Sequence, residues 1–233
     1  PELIERELRE YDLADAIAVP SRFAAKTFTD KGIAPEKMII TPLGVDTDRF
    51  LPVEKPTGQV PRILFVGALG QRKATPLLLR AFARLQEKAE LHLVGPIEAG
   101  FETGSVGNNV IIHGPAEANA LFAHYAGADI FCLPSLEEGF GMVALEAMAC
   151  GLPVVISDTA GAADAVSPGQ DGLVFASGDE DALTLALDEL LADLEIRRTM
   201  GAAARAKVVA DYSWDAYVEG VIKAYISLLT QGD

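Results

Sequence analysis

Apolar residues in this chain recur as short unbroken runs, and the stretches between them carry helical spacing. From residue 63 onward the runs fall at 63–66, 91–94, 110–112, 129–133, 154–156 and 173–175. Runs this short, without polar alternation, predict strands covered on both faces. Helices are predicted between them at 75–88, opened by Thr75-Pro76, at 116–125 and at 142–150, the last stopped by Gly151 and Pro153. The alternation predicts an α/β fold with a doubly wound (Rossmann-like) parallel six-stranded sheet. Amphipathic helices follow at 179–191, 195–210 and 214–229, the last with an apolar stripe of Tyr217, Val221, Tyr225 and Leu228 read as packing surface. Ahead of the sheet lie a charged helix at 2–10, strands at 16–19 and 38–40, and a helix capped by Ser21 that stops at Gly32.

With the strand order 3-2-1-4-5-6, the winding reverses between the first and fourth strands, and ligands of such sheets bind outside the carboxyl ends at that point. The loops leaving those strands are 67–73 and 134–141, so the ordering alone brings Arg72 and Lys73 to the turn holding Gly139 and Gly141. That turn opens a helix, whose first N–H groups and dipole make an anion site. Glu138 precedes the turn and Glu146 lies inside the helix, with seven residues between them. An anion pocket flanked by two carboxylates suits a ligand with phosphates and many hydroxyls, such as a nucleotide sugar. A rival reading uses the same turn. Gly139-x-Gly141-x-x-Ala144 matches the dinucleotide fingerprint, and Asp158 ends the next strand where an acid would hold a ribose, as in an NAD-dependent oxidoreductase. Against it, Leu136-Glu137-Glu138 separates the strand from the first glycine, where the fingerprint turn is tight. The unit also lies past the middle of the chain.

Composition sharpens this. The 233 residues are half apolar, ample for a core, and the formal net charge of −15 argues against nucleic acid or an anionic membrane as partner. An anionic ligand therefore needs local cations, which adds weight to Arg72 and Lys73. Cys132 and Cys150 sit in apolar surroundings and are expected to be core residues of a reducing compartment. No uncharged apolar run reaches the roughly 18 residues of a spanning helix, and no signal peptide is visible. The expectation is a cytoplasmic protein, with peripheral attachment at the inner membrane face left open. No metal-ligand spacing, Ser-His-Asp arrangement or internal repeat is present. His92 is expected on a strand and His124 on a helix face.

The stretch E-G-F-G-M-V-A-L-E followed by A-M-A-C-G-L-P-V-V resembles the E-x7-E signature of group 1 glycosyltransferases, retaining enzymes of the two-domain GT-B fold that use nucleotide-sugar donors. P-S before it and an A-G-x-x-D-x-V-x-x-G-x-x-G-x-x-F tail after it extend the match. The resemblance implies that Glu138 contacts the transferred sugar and that Gly139, Phe140, Gly141, Met142 and Val143 meet sugar and diphosphate. It implies that Glu146 holds the ribose hydroxyls and that Lys73 meets the diphosphate beside the Gly67 loop, where Arg72, brought there by the strand order, either partly replaces the arginine absent at Ala68 or leaves a weaker clamp. His113-Gly114-Pro115 matches the place where the family's backbone reads the base. Two positions depart from the family: Ala68 stands where many members carry a clamping arginine, and Asp164 where a glutamate is common.

The resemblance also implies an organisation. Residues 1–50 correspond to the end of an N-terminal acceptor domain, 51–61 to a linker, 62–211 to the donor-binding domain, and 212–233 to a helix crossing back. The chain opens at Pro1 in mid-helix pattern without a Met, as a fragment would. The expectation is a donor-binding fragment of a retaining glycosyltransferase. It would need no cofactor or metal, take a UDP- or GDP-linked sugar as substrate, and meet a carbohydrate or lipid-linked acceptor through the missing domain. A non-catalytic nucleotide-sugar-binding module is the other alternative.

Overall fold

The computed structural model describes residues 2–56, 58–85, 88–104 and 106–231. Helix α1 (Glu2–Leu13) leads to strand β1 (Ile17–Val19), helix α2 (Arg22–Thr29) and strand β2 (Met38–Ile40), and β1 pairs in parallel with β2. A six-stranded sheet follows. Its strands are β3 (Arg62–Val66), β4 (Glu90–Val94), β5 (Val110–Gly114), β6 (Ile130–Leu133), β7 (Val154–Ser157) and β8 (Gly172–Phe175), in the order β5-β4-β3-β6-β7-β8. All pairs are parallel, so the order is the expected 3-2-1-4-5-6, and β3 and β6 flank the reversal.

The absence of polar alternation in the inner strands β3, β6 and β7 has its cause here, because each face carries its own core. Leu64, Val66, Phe131 and Leu133 pack with Leu145 and Met148 of α5 (Met142–Ala149) and Tyr125 of α4 (Ala118–Gly127). Ile63, Phe65, Leu91 and Leu93 pack on the other face with Leu78 of α3 (Thr75–Ala83) and Leu183 and Leu187 of α6 (Glu180–Ala192). Each such side chain contributes about 1.5–3 kcal/mol by leaving water. Cys132 and Cys150 lie within these cores, and burial pushes the Cys150 thiol up to about 12. Helices α7 (Leu194–Asp211) and α8 (Trp214–Gln231) complete the chain.

Local capping explains three helix starts, those of α2, α6 and α7. Ser21 Oγ accepts from the Ala24 N–H at 3.0 Å, Asp179 Oδ1 from the Ala182 N–H at 2.9 Å, and Asp193 Oδ1 from the Glu195 and Ile196 N–H groups. The expected ends move in four helices. α3 stops at Ala83 rather than near 88, because Arg84 and Leu85 donate three residues back, to Ala81 and Phe82, and tighten the last turn; residues 86 and 87 lie outside the described part. α4 runs two residues later than expected, since Glu117 is still extended at its N-cap position and makes no side-chain capping bond. α1 and α8 also run longer. The stripe on α8 is a partial correction. Tyr217, Val221 and Leu228 are half-buried, but Tyr225 is exposed together with Val218, Ile222, Ile226 and Leu229. Two 3-10 turns, Pro35–Lys37 and Gly161–Ala165, were not expected.

Candidate functional site

Two loops meet at the carboxyl ends of β3 and β6. The Leu136 N–H donates to the Arg72 carbonyl at 2.9 Å and Arg72 Nη1 to the Glu137 carbonyl at 3.1 Å, which ties one loop to the other. Lys73 is 9% exposed, and its Nζ contacts Glu138 Oε2; Arg72 Nη1 stands 3.8 Å from the same oxygen. Burial and the adjacent Arg72 charge push the Lys73 ammonium down to about 8, with Glu98 pulling the other way. The Glu138 carboxylate in direct contact favours the charged form, so the lysine is held as a cation by its partner.

The turn is built around Gly141, the N-cap of α5, at φ +96°. A Cβ there would stand 2.9 Å from Leu133 Cδ2 and 3.2 Å from Glu138 Cγ, so only glycine both adopts the backbone and leaves the Glu138 side chain its place. Gly139 opens onto free space, Phe140 is buried beneath, and Met142 and Val143 are half-buried in the first helical turn. The first N–H groups of that turn lack intrahelical partners, which with the dipole makes this edge favourable to an anion. On the next turn of α5, Glu146 is half-buried and accepts from Tyr125 Oη at 2.6 Å. Burial raises the Glu146 carboxyl above its usual range, while Tyr125 and the Arg49 charge hold it down. Tyr125, fully buried beside this carboxylate, is pushed well above the ordinary phenol value.

Lys73, Arg72, Glu138 and the Gly139–Val143 turn therefore come together, with Glu146 on the next turn of the same helix. Gly67 and Gly114 lie along the same edge: the Gly67 N–H donates to the Val94 carbonyl at 2.9 Å and the Gly95 N–H to the Gly114 carbonyl at 2.8 Å. The His113 side chain, by contrast, joins a cluster. Its Nε2 lies 3.0 Å from His92 Nδ1, its ring centroid 4.7 Å from that of His124, and His92 Nε2 is 3.1 Å from Glu90 Oε2. All three histidines of the chain meet there, which their separate positions on strand and helix did not foretell.

Asp158, the acid of the oxidoreductase reading, accepts from the Ser177 N–H at 2.9 Å, so it holds the turn after β8. Asp164 accepts from the Arg22 N–H at 2.6 Å and ties its 3-10 turn to α2. Two residues beneath the turn were missed. Ser21 Oγ donates to the Gly139 carbonyl at 2.6 Å, and a Cβ on Gly161 would lie 2.2 Å from that carbonyl. The only available signal was Gly161 itself, in A-G-x-x-D, where small size reads as close backbone approach. Among the described residues, no group of three or more His, Cys, Asp or Glu could hold a metal, and no helix is long and apolar enough to cross a membrane.

The chain is similar in sequence and fold to known proteins. The family profile described as "Glycosyl transferases group 1" matches residues 60–193. D-inositol 3-phosphate glycosyltransferase of Geodermatophilus obscurus is 30% identical over 91% of this chain and 52% of its own length. GDP-mannose-dependent alpha-(1-6)-phosphatidylinositol monomannoside mannosyltransferase of Mycolicibacterium smegmatis is 31% identical over 86% of this chain and 59% of its own. Sucrose-phosphate synthase from Thermosynechococcus elongatus superposes with a TM-score of 0.80 at 28% identity, over 94% of this chain and 59% of that one. The chain thus spans little more than half the length of these three relatives. The matched segment holds both loops, the glycine turn and both glutamates, and the chain belongs to the group 1 glycosyl transferases.

Proposed function

We propose that this chain is the donor-binding half of a retaining glycosyltransferase, which takes a nucleotide sugar and transfers its sugar to a carbohydrate or lipid-linked acceptor. The observation that carries this is the convergence of Lys73 and Arg72 on Glu138 at the N-terminus of α5. That edge offers charge and backbone N–H groups to a diphosphate and carboxylates to hydroxyls. Lys73, Arg72 and the amides from Gly141 onward stabilise the charge that grows on the departing diphosphate. Glu138 orients the sugar, Glu146 accepts from the ribose hydroxyls, and the backbone at Gly67 and at His113-Gly114 borders the nucleotide. In this reading residues 1–50 belong to the acceptor half, 51–61 link the halves, 62–211 bind donor and 212–233 cross back. The relatives' greater length supports placing the acceptor wall outside this chain.

Calorimetric titration of the 233-residue chain with UDP, GDP and ADP tests the reading. One nucleotide should bind at roughly millimolar to high micromolar strength, about −4 to −6 kcal/mol, because the opposite wall of the cleft contributes nothing here. The chain alone should not turn over donor, and a longer protein that includes the acceptor half should transfer with the anomeric configuration kept. Absence of binding by all three nucleotides overturns the reading.

A further inference from the structure

The two cations suited to a diphosphate are already engaged by a carboxylate of the same site. Lys73 Nζ contacts Glu138 Oε2, Arg72 Nη1 lies 3.8 Å from it, and Glu98 adds a second negative charge acting on Lys73. The side chains of Lys73 and Glu138 are 11% and 17% exposed, so water and salt screen this pair little, whereas Arg72 is half in solvent. The backbone around the pair is pinned. The Glu138 N–H donates to the Thr159 carbonyl at 3.2 Å, and the Gly161 N–H donates to the Glu138 carbonyl at 2.9 Å. Only side-chain rotation separates the partners, and the space beside Gly139 is open to a ligand.

We propose that Glu138 is an internal competitor for the diphosphate, and that the Lys73–Glu138 pair makes the site prefer a sugar-bearing nucleotide to the bare nucleoside diphosphate; this rests on the donor-site reading above. A bare diphosphate must take Lys73 from Glu138 and leaves a largely buried carboxylate with only the half-exposed Arg72, 3.8 Å away, which is costly. A nucleotide sugar takes the same lysine but brings hydroxyl groups that donate to the freed carboxylate. The pair therefore discriminates by what replaces the ammonium. Once the sugar has left, Glu138 loses those donors and recovers Lys73, which displaces the nucleoside diphosphate. The residue that holds the donor sugar thus also promotes product release.

The test is calorimetric titration of the full chain and of Glu138→Gln with UDP, UDP-glucose, GDP and GDP-mannose. Glu138→Gln should tighten the bound bare diphosphate by about fivefold, since an ion pair that opposes binding is gone. The same variant should loosen the corresponding nucleotide sugar by about tenfold or more, since a charge-assisted hydrogen bond is lost. Glu137→Gln removes one charge from the same turn without touching Lys73, and should change both ligands by less than about twofold. In a Lys73→Ala background the gain for the bare diphosphate should vanish, which locates the competition at the pair. Equal weakening of both ligands by Glu138→Gln, or an equal gain from Glu137→Gln, overturns the proposal while leaving the donor site in place. Failure of the unaltered chain to bind any of the four removes the donor-site reading and the proposal with it.

Discussion

The two ends of the central sheet hold similar charges and behave differently. At the carboxyl ends of β3 and β6, Lys73 and Arg72 face Glu138 across a glycine turn that opens onto space. At the amino ends a cavity of about 950 Å3 is lined by Lys55, Arg62, Asp129 and Arg197. There the cations are spent on the protein itself. Lys55 lies 3.4 Å from Asp129, Arg62 Nε lies 3.1 Å from Glu90, and Arg197 Nη1 donates to the Leu190 and Leu191 carbonyls at 2.5 and 3.0 Å. The difference follows from helix polarity. α5 begins at the carboxyl edge and presents N–H groups there, whereas α4 and α5 end at the opposite edge and present carbonyls, which attract cations and repel anions. Arg205 makes the point, since its guanidinium donates to the carbonyls of Ala149, Phe50 and Thr47 at 2.8–3.0 Å. Volume and charge alone do not distinguish the two edges; the direction of the helix ends does.

The largest effect that separates the two ends should come from Arg205→Met. Losing three bonds from one guanidinium at half-buried carbonyls should lower stability by about 2–4 kcal/mol, read by denaturant unfolding, with nucleotide affinity of the folded fraction unchanged. A matching loss of affinity would mean that the two ends are not independent. Glu146→Gln comes next. It should weaken free nucleotide and nucleotide sugar alike by about 1.5–3 kcal/mol in calorimetry, with little change in unfolding. A loss confined to the nucleotide sugar would move Glu146 from the ribose to the sugar.

Lys73→Ala should weaken the nucleoside diphosphate by about 1.5 kcal/mol and leave the unphosphorylated nucleoside unchanged, because only the phosphates carry charge to pair. The figure sits at the low end because the lysine must first leave Glu138. A null result would remove the carboxyl edge from diphosphate binding. The smallest effect belongs to the histidine cluster. Burial, then the neighbouring His124, His92 and Arg62, depress His113, and burial with His92 depresses His124. The folded chain therefore binds fewer protons than the unfolded one near the ordinary imidazole value. Stability from this cluster is full above about pH 6.5 and is lost as pH falls through that value towards the lowered folded ones. Melting temperature at pH 7.5 and 5.5 should show a drop that His113→Asn reduces; an unchanged drop would mean that the cluster is indifferent to protonation.

What the sequence determined by itself was whatever a local period or a local hydrogen bond decides. The six apolar runs became the six strands, since the inner strands are buried on both faces and need no polar alternation, and Ser21 became a cap, because an N-cap is settled within four residues. The meeting of the 67–73 loop with the 134–141 turn was also legible, since strand order follows from the alternation and the loops go where the strands end. Tertiary structure alone decided which side chains satisfy one another across that meeting. Ser21 reaches Gly139 from 118 positions away, Tyr125 was free to be a packing residue until its hydroxyl met Glu146, and the three histidines lay on separate elements. Asp158, the acid of the rival reading, was shown only by the fold to accept from the Ser177 N–H. These choices depend on distances of a few tenths of an ångström between segments far apart in the chain. They are fixed by close packing of the two cores, which no periodicity records.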